Sequence, residues 1–385
     1  MKRRLGLGLI AILIVTGIAV SLIKATDLAM GSLSTTQLTP SELATSEEIS
    51  SVTNIPQNTV TPFVRKVTNT PEPTAAPLDC DGDYLVFSSF DDWSNQEKTY
   101  PIFVGCSDGT GVREIAVLST EVIDLAVSPD GSKLAITTSR RSKVDLYIYD
   151  LLNEKLTSLI ADEASSIYKI DWSPDSEYLA YIVASSEQSR PTETLEVMHL
   201  ETGTLSHLLD QDDFTGHNEV APGHQERFSY FDWAPIGQQV VAGTAIDATT
   251  GYWFTYYFDI QCNEDTHLCS ASTPSLVKGL WLYPVWSPDG LLLASTSLGD
   301  SGNDLLLLTG ADGQVMQVID LSGLHGVDAL AWSPDGSQIV LLAQPDALTY
   351  EDDIFVLRLS DLELVNITSD KGVYQSAVDW APESP

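Results

Sequence analysis

Positive charge is what this sequence lacks most. Its 385 residues hold 19 Lys and Arg against 54 Asp and Glu, a formal net charge of -35. A protein that wraps a nucleic acid needs a clustered Lys/Arg footprint, so that class is excluded. Cysteine is scarce as well: four residues in all, none before position 80. No long amphipathic helix can be drawn between the strand-like runs of the later chain. No glycine-rich loop follows a strand and opens a helix, which excludes a nucleotide site of that kind. What is present can still fold, because charged residues make up only 19% and hydrophobic ones 43%. That composition is not the one of a disordered acidic tail. The length allows two or three domains, or one large all-β domain.

Composition divides the chain into three parts. In residues 1–24, Lys2, Arg3 and Arg4 precede an uncharged run of 19 residues, Leu5 to Ile23. As a helix this run is about 28 Å long, close to the ~30 Å of a bilayer core. Basic residues before it and an acidic chain after it place the N-terminus in the cytoplasm and the rest outside. The run is longer than the usual apolar stretch of a cleaved signal, and Ala25-Thr26-Asp27 is a poor cleavage site. No cysteine follows it to take a lipid. The expectation is a single-pass signal anchor, with a cleaved signal as the rival. Residues 25–79 read as a disordered stalk: within 31–78 there are 16 Ser/Thr and 6 Pro, with no apolar periodicity. Such a segment buries too little surface to offset its ordering entropy.

Residues 80–385 repeat. An apolar stretch ending in Ser-Pro or Ala-Pro recurs six times, with prolines at 129, 174, 235, 288, 334 and 382, spaced 45 to 61 residues apart. That period signals propeller blades. A lone SPDG is a common turn, but six copies, five preceded by Trp, are specific. Each repeat holds four short runs of β-branched and aromatic residues separated by Gly, Asp and Pro, which is a strand-and-turn pattern. Residues 80–385 begin without a first strand and finish on one, 374–382. Pairing that last strand with the first blade completes six blades and leaves no open seam.

Trp172-Ser173-Pro174-Asp175, Trp286-Ser287-Pro288-Asp289-Gly290, Trp332-Ser333-Pro334-Asp335-Gly336 and the later strand Leu146-Tyr147-Ile148-Tyr149-Asp150 carry a resemblance to the TolB-type six-bladed β-propeller. The resemblance covers 80–385. It implies an all-β fold and a platform for protein or peptide partners. Val127 stands where the repeat has Trp, and Ala-Pro-Ile-Gly occupies 234–237, so looser first turns are expected in those two blades. The helical domain that precedes the propeller in TolB has no counterpart; the stalk takes its place. The cysteines fit hairpin ends as Cys80–Cys106 and Cys262–Cys269, and export favours disulfides. A zinc site is the rival, but neither pair has its tight spacing.

Chemistry-bearing residues are few. Gly105-Cys106-Ser107-Asp108-Gly109 fits G-x-S-x-G, yet a β-rich run follows rather than a helix, and Asp108-Gly109 sits in a hairpin-turn slot. Asp171, Asp232 and Asp379 each precede the repeat Trp, on the strand nearest the axis. They could ring the channel and hold a divalent cation, or accept backbone amides of a neighbouring blade. The long segment Asp210–Arg227 carries His217, Glu219, His224 and Glu226, a metal set only if they converge. Trp93, Phe214 and Tyr350 lie in the variable loops opposite the SPDG turns and are candidate partner anchors, with His217 and His224 beside Phe214 in sequence.

Three functions are open: a membrane-anchored, non-catalytic scaffold for an envelope protein or peptide; a glycan-active or divalent-cation-dependent enzyme using channel carboxylates; and a sensor that signals through another chain. The first is the expectation. It carries a monomeric propeller, no nucleic acid and no cofactor beyond a possible channel cation.

Overall fold

The computed structural model describes residue 80 and segments 84–90, 99–140, 143–162, 165–185, 192–214, 226–245, 253–277, 282–298, 304–345, 352–368 and 374–381. The anchor and stalk expected over 1–79 lie outside these residues. Among the described residues no helix is long and apolar enough to cross a membrane.

Among the described residues, twenty-five strands form six antiparallel sheets. Blade 1 holds β1 (Tyr84–Phe90), β2 (Tyr100–Cys106) and β3 (Arg113–Leu118). Blade 2 is β4 (Glu121–Val127), β5 (Lys133–Arg140), β6 (Lys143–Asp150) and β7 (Lys155–Asp162). Blade 3 is β8 (Ser165–Trp172), β9 (Tyr178–Ser185), β10 (Glu193–His199) and β11 (Leu205–Asp210). Blade 4 is β12 (Arg227–Trp233), β13 (Gln239–Ala245), β14 (Trp253–Cys262) and an outer strand broken into β15 (Cys269–Ala271) and β16 (Ser275–Val277). Blade 5 is β17 (Leu282–Trp286), β18 (Leu292–Leu298), β19 (Asp304–Gly310) and β20 (Val315–Asp320). Blade 6 is β21 (His325–Trp332), β22 (Gln338–Gln344), β23 (Asp353–Arg358) and β24 (Leu364–Asn366). The last strand, β25 (Tyr374–Ala381), returns to blade 1 and pairs with β1 from Tyr84↔Ala381 to Phe90↔Tyr374. The innermost strands β4, β8, β12, β17, β21 and β25 each touch the next, closing a ring.

Burial explains the strand sequences. β1 lies between β25 and β2, and all seven of its residues are buried. It therefore reads as a near-continuous apolar run rather than an alternation. Outer strands are less buried: of the six residues of β11 only Ser206 and Leu209 are buried. The cores lie between blades. One spans blades 3 and 4 and includes Tyr178, Ile182, Phe231 and Tyr256.

The SPDG turn is a fixed device. In blade 2, Ser128 Oγ donates to Asp130 Oδ1 at 2.6 Å and accepts Lys133 N–H at 2.9 Å. Gly131 then needs a positive φ of 69°. Ser176 takes the same position at φ 62° without being glycine, and its Oγ accepts Asp130 N–H from blade 2 at 3.1 Å. The looser turn expected beside Val127 is not found, since every SPDG bond is made there. The turn at 234–237 keeps its main-chain bond, Ala234 N–H to Gln239 O at 2.8 Å. Ala and Ile there have no hydroxyl and carboxylate to add.

Both cysteine pairs are disulfides, Cys80–Cys106 and Cys262–Cys269, with Cα atoms 5.6 and 4.0 Å apart. Gly105–Gly109 is a hairpin turn from β2 to β3: Cys106 N–H bonds Thr110 O, and Asp108 accepts Thr110 N–H, each at 2.9 Å.

Removing residues 374–385 is expected to leave blade 1 with three strands and to abolish cooperative unfolding in calorimetry. A truncated chain that melts at the parental temperature contradicts the closure.

Candidate functional site: the acidic channel

The period of two along a strand puts the residue before the repeat Trp on the same face as the residue three before it. In the innermost strands that face looks onto the axis. The first position is Ala126, Asp171, Asp232, Val285, Ala331 and Asp379 around the ring. The second is Asp124, Lys169, Tyr230, Tyr283, Ala329 and Ala377. All twelve line one cavity of about 410 Å³. A β-bulge recurs one residue further back: register shifts bracket Ile123, Tyr168, Ser229 and Ser376, and wider breaks interrupt β17 and β21. Bulges re-aim side chains, and Ile123, Tyr168, Ser229 and Asp328 at this position also line the cavity.

The position before the Trp decides how each blade is fastened to the next. Where it is Asp, the carboxylate accepts a main-chain N–H of the following blade. Asp379 takes Val127 N–H at 2.8 Å, Asp171 takes Trp233 N–H at 2.6 Å, and Asp232 takes Trp286 N–H at 2.7 Å. Where it is Ala or Val, the following Trp donates its indole N–H to that residue's carbonyl. Trp172 reaches Ala126 O at 2.9 Å, Trp332 reaches Val285 O at 3.3 Å, and Trp380 reaches Ala331 O at 2.9 Å. The two straps exclude each other: the indole nitrogens of Trp233 and Trp286, whose preceding blades carry Asp171 and Asp232, are buried without a partner. Six interfaces are thus three carboxylate straps and three indole straps.

Lys169 is the one cation among the described residues lining this cavity. Its Nζ lies 3.3 Å from Asp124 Oδ2 and 4.6 Å from the centre of the Tyr230 ring. Asp124 Oδ2 also accepts Ile170 N–H at 3.0 Å, a fourth carboxylate contact between blades. Burial opposes the Lys169 charge, but Asp124, Tyr230, Asp171 and Asp232 hold its ammonium well above the usual lysine range. Burial pushes the Asp171 carboxyl up to about 6 against the pull of Lys169, and Asp379 up to about 7. Asp232 is pushed well above the carboxylate range by burial and by Asp171. Further along the wall Asp328 is raised to about 7 by burial, Asp352 and Asp304. Tyr283 stands edge-on to Tyr230 in the left-handed region, at φ 52°.

These contacts bear on a channel cation. Asp171 and Asp379 each use their second oxygen on their own Trp N–H, both at 2.8 Å. Each of these two carboxylates thus already accepts two main-chain amides. Among the described residues no group of three or more His, Cys, Asp or Glu is placed to hold a metal ion.

The loop candidates fare differently. Trp93, Tyr350, His217 and His224 lie outside the described residues. Phe214 is a correction: it is fully buried, edge-on to Phe228 at 4.6 Å and to Tyr256 at 4.9 Å. It is a core side chain and not an exposed anchor. After residue 225, buried Glu226 accepts from Tyr256 and Thr244, and Arg227 holds Glu193 at 2.6 Å. Asp124, Lys169 and Tyr230 were not singled out by sequence reasoning. Counting back three residues from Trp172, from Trp233 and from Val127, which stands in the Trp position, finds them.

No protein-family model matches the chain. A stretch of 93 residues, 24% of the chain, is 28% identical to a protein of Sulfurisphaera tokodaii described as a Tricorn-like protease C-terminal subunit, and spans 10% of that protein. The crystal structure of TolB from Acinetobacter baumannii matches at a TM-score of 0.59 and 15% identity, covering 78% of this chain and 67% of that one. A structure assigned to TolB from Agrobacterium tumefaciens gives 0.48 and 15%, covering 74% and 88%.

The strap rule predicts unequal costs. Asp232→Ala unpairs the Trp286 amide, but the Trp286 indole, now without a partner, can take the carbonyl of residue 232 in exchange, as Trp172 takes Ala126. The exchange loses about 1 kcal/mol. Asp379→Ala faces Val127, which has no indole, so a buried amide is left unpaired at about 1–3 kcal/mol. Losing the more heavily raised Asp232 charge moves the result the same way. Urea melts at pH 8 should rank Asp379→Ala as the less stable, with Val127→Trp restoring it. Equal costs, or no rescue, contradict the rule.

Proposed function

Proceeding from the fold of a TolB-type six-bladed β-propeller, we propose that this chain is a non-catalytic scaffold, held outside the cytoplasmic membrane by Leu5–Ile23, that presents its loop face to an envelope protein or peptide. One observation carries the reading. The carboxylates best placed for chemistry, Asp171, Asp232 and Asp379, accept the main-chain amides that join blades. The acids that a glycan-active enzyme would use are parts of the frame.

The placement outside the membrane is supported by the cysteines. All four are paired, with none left free. Disulfides form and persist in oxidising compartments. The choice of face follows from antiparallel strand order. SPDG turns and outer hairpins share one end of every blade, so the links from second to third strand, and from blade to blade, share the other. The SPDG turns are alike, whereas the links vary in length from blade to blade. Function concentrates on variable loops held by a rigid scaffold.

Photo-crosslinking residues placed at Ser185 and Gln344, where β9 and β22 reach the loop end, are expected to capture one discrete protein in envelope extract. The same residues placed at Asp130 and Asp335, in the turns, are expected to capture none. Capture from the turns alone puts the wrong face forward. Metal-dependent turnover of an envelope glycan by the purified chain overturns the scaffold reading.

A further inference from the structure

The straps leave one carboxylate oxygen of the channel over. Each main-chain N–H is a single donor, so the amides beside the axis are limited in number. Asp171 and Asp379 follow blades that carry Ala126 and Ala331, and the N–H of their own Trp goes to their second oxygen. Asp232 is the one Asp at this position that follows an Asp. The N–H of its own Trp233 is already taken by Asp171. Asp232 Oδ2 takes Trp286 N–H, and Oδ1 has no donor among the described residues.

Two further groups of the channel lack partners. Tyr230, two residues before Asp232 on the same face, is only 9% exposed and lines the cavity. Its hydroxyl makes no hydrogen bond with a described residue. Tyr283 of blade 5 meets it edge-on at 5.7 Å. Burial, and then Asp328 of blade 6, push the Tyr283 phenol up to about 12, so Asp328 stands close to that ring. Asp328 also lines the cavity and has no hydrogen bond or ion pair with a described residue. The channel itself shows what such a pair can hold. Asp124 and the Tyr230 ring seat the Lys169 ammonium, at 3.3 and 4.6 Å. Asp328 and Tyr283 repeat that pair of groups without a lysine.

Charge and spacing decide the ligand. Among the described residues five Asp and one Lys line the cavity, so a cation is attracted. The acids do not converge on a point: among the described residues no three are placed to hold a metal ion. Asp232 stands one residue before its Trp and Asp328 four before Trp332. At the rise of a strand this separates the open carboxyls by about 10 Å along the axis. We propose that the channel binds a linear aliphatic polyamine, with one ammonium on Asp232 beside Tyr230 and another on Asp328 beside Tyr283. Its methylenes would lie against the two rings, and its charges would complete the two carboxylates. The site is inside the ring and is independent of which face binds the scaffold's partner.

The probe is spermidine, titrated onto the full-length chain by calorimetry at pH 8 in about 150 mM salt, where diffuse attraction is screened. Spermidine is expected to bind one per chain, and butylamine, with a single charge, tenfold or more weakly. Asp328→Asn is expected to weaken spermidine tenfold or more without lowering the melting temperature; Asp328→Ser serves if Asp328→Asn does not fold. Glu201→Gln, on an exposed turn, is expected to change nothing. Diffuse attraction to an acidic protein predicts equal losses in Asp328→Asn and Glu201→Gln, and overturns the proposal. So does failure of spermidine to bind the parent. Calcium that binds as tightly as spermidine, and is lost in Asp328→Asn, assigns the carboxyls to a metal ion and also overturns it.

Discussion

The ring depends on hydrogen bonds that cross from one blade to the next beside the axis. A propeller's innermost strand has a partner strand on one side only. Its other edge faces a narrow channel, where a buried amide left unpaired costs about 1–3 kcal/mol. At each of the six interfaces one amide or one carbonyl of that edge is paired, by one of two devices. An Asp carboxylate reaches the next blade's main chain, or the next blade's indole reaches back to a carbonyl. One residue, the one before the repeat Trp, selects between them. Closure follows from the same rule, since β25 supplies a carboxylate forward to Val127 and an indole back to Ala331.

The carboxylate straps concentrate charge where water is scarce. Asp124, Asp171, Asp232 and Asp379 share the channel with a single Lys169. Burial raises all four carboxyls, and the acids in turn hold the lysine charged. Perturbed acids in a cleft often mark catalysis, but ion-pair frames perturb them equally well. Here each strap carboxylate has a main-chain donor at 2.6 to 2.8 Å, which places them in the frame. The acidic composition of the chain thus has a structural role along the axis.

Much of this was legible in the sequence. The Trp-Ser-Pro-Asp repeat, the orphan strand at 374–382 and the two cysteine pairs give six blades, their closure and both disulfides, because each is a local pattern with one geometric outcome. The backbone-cap alternative for Asp171, Asp232 and Asp379 was legible for the same reason. The bulges were not, since no residue type marks Ile123, Tyr168, Ser229 and Ser376 in common. Phe214 misled because a polar loop surrounds it; its burial depends on Phe228 and on Tyr256, 42 residues away. Trp93, His217, His224 and Tyr350 lie outside the described residues, in sequence without a strand period to place them.

Indole hydrogen exchange tests the central claim directly. In a ¹⁵N-Trp-labelled chain assigned by single substitutions, the indole N–H signals of Trp172, Trp332 and Trp380 should exchange slowly, each being hydrogen-bonded to the preceding blade. Those of Trp233 and Trp286, whose preceding blades carry Asp171 and Asp232 and which have no acceptor, should exchange faster, and in Asp232→Ala the Trp286 signal should become protected. Five indoles with the same protection, or a Trp286 signal unmoved by Asp232→Ala, would contradict the account.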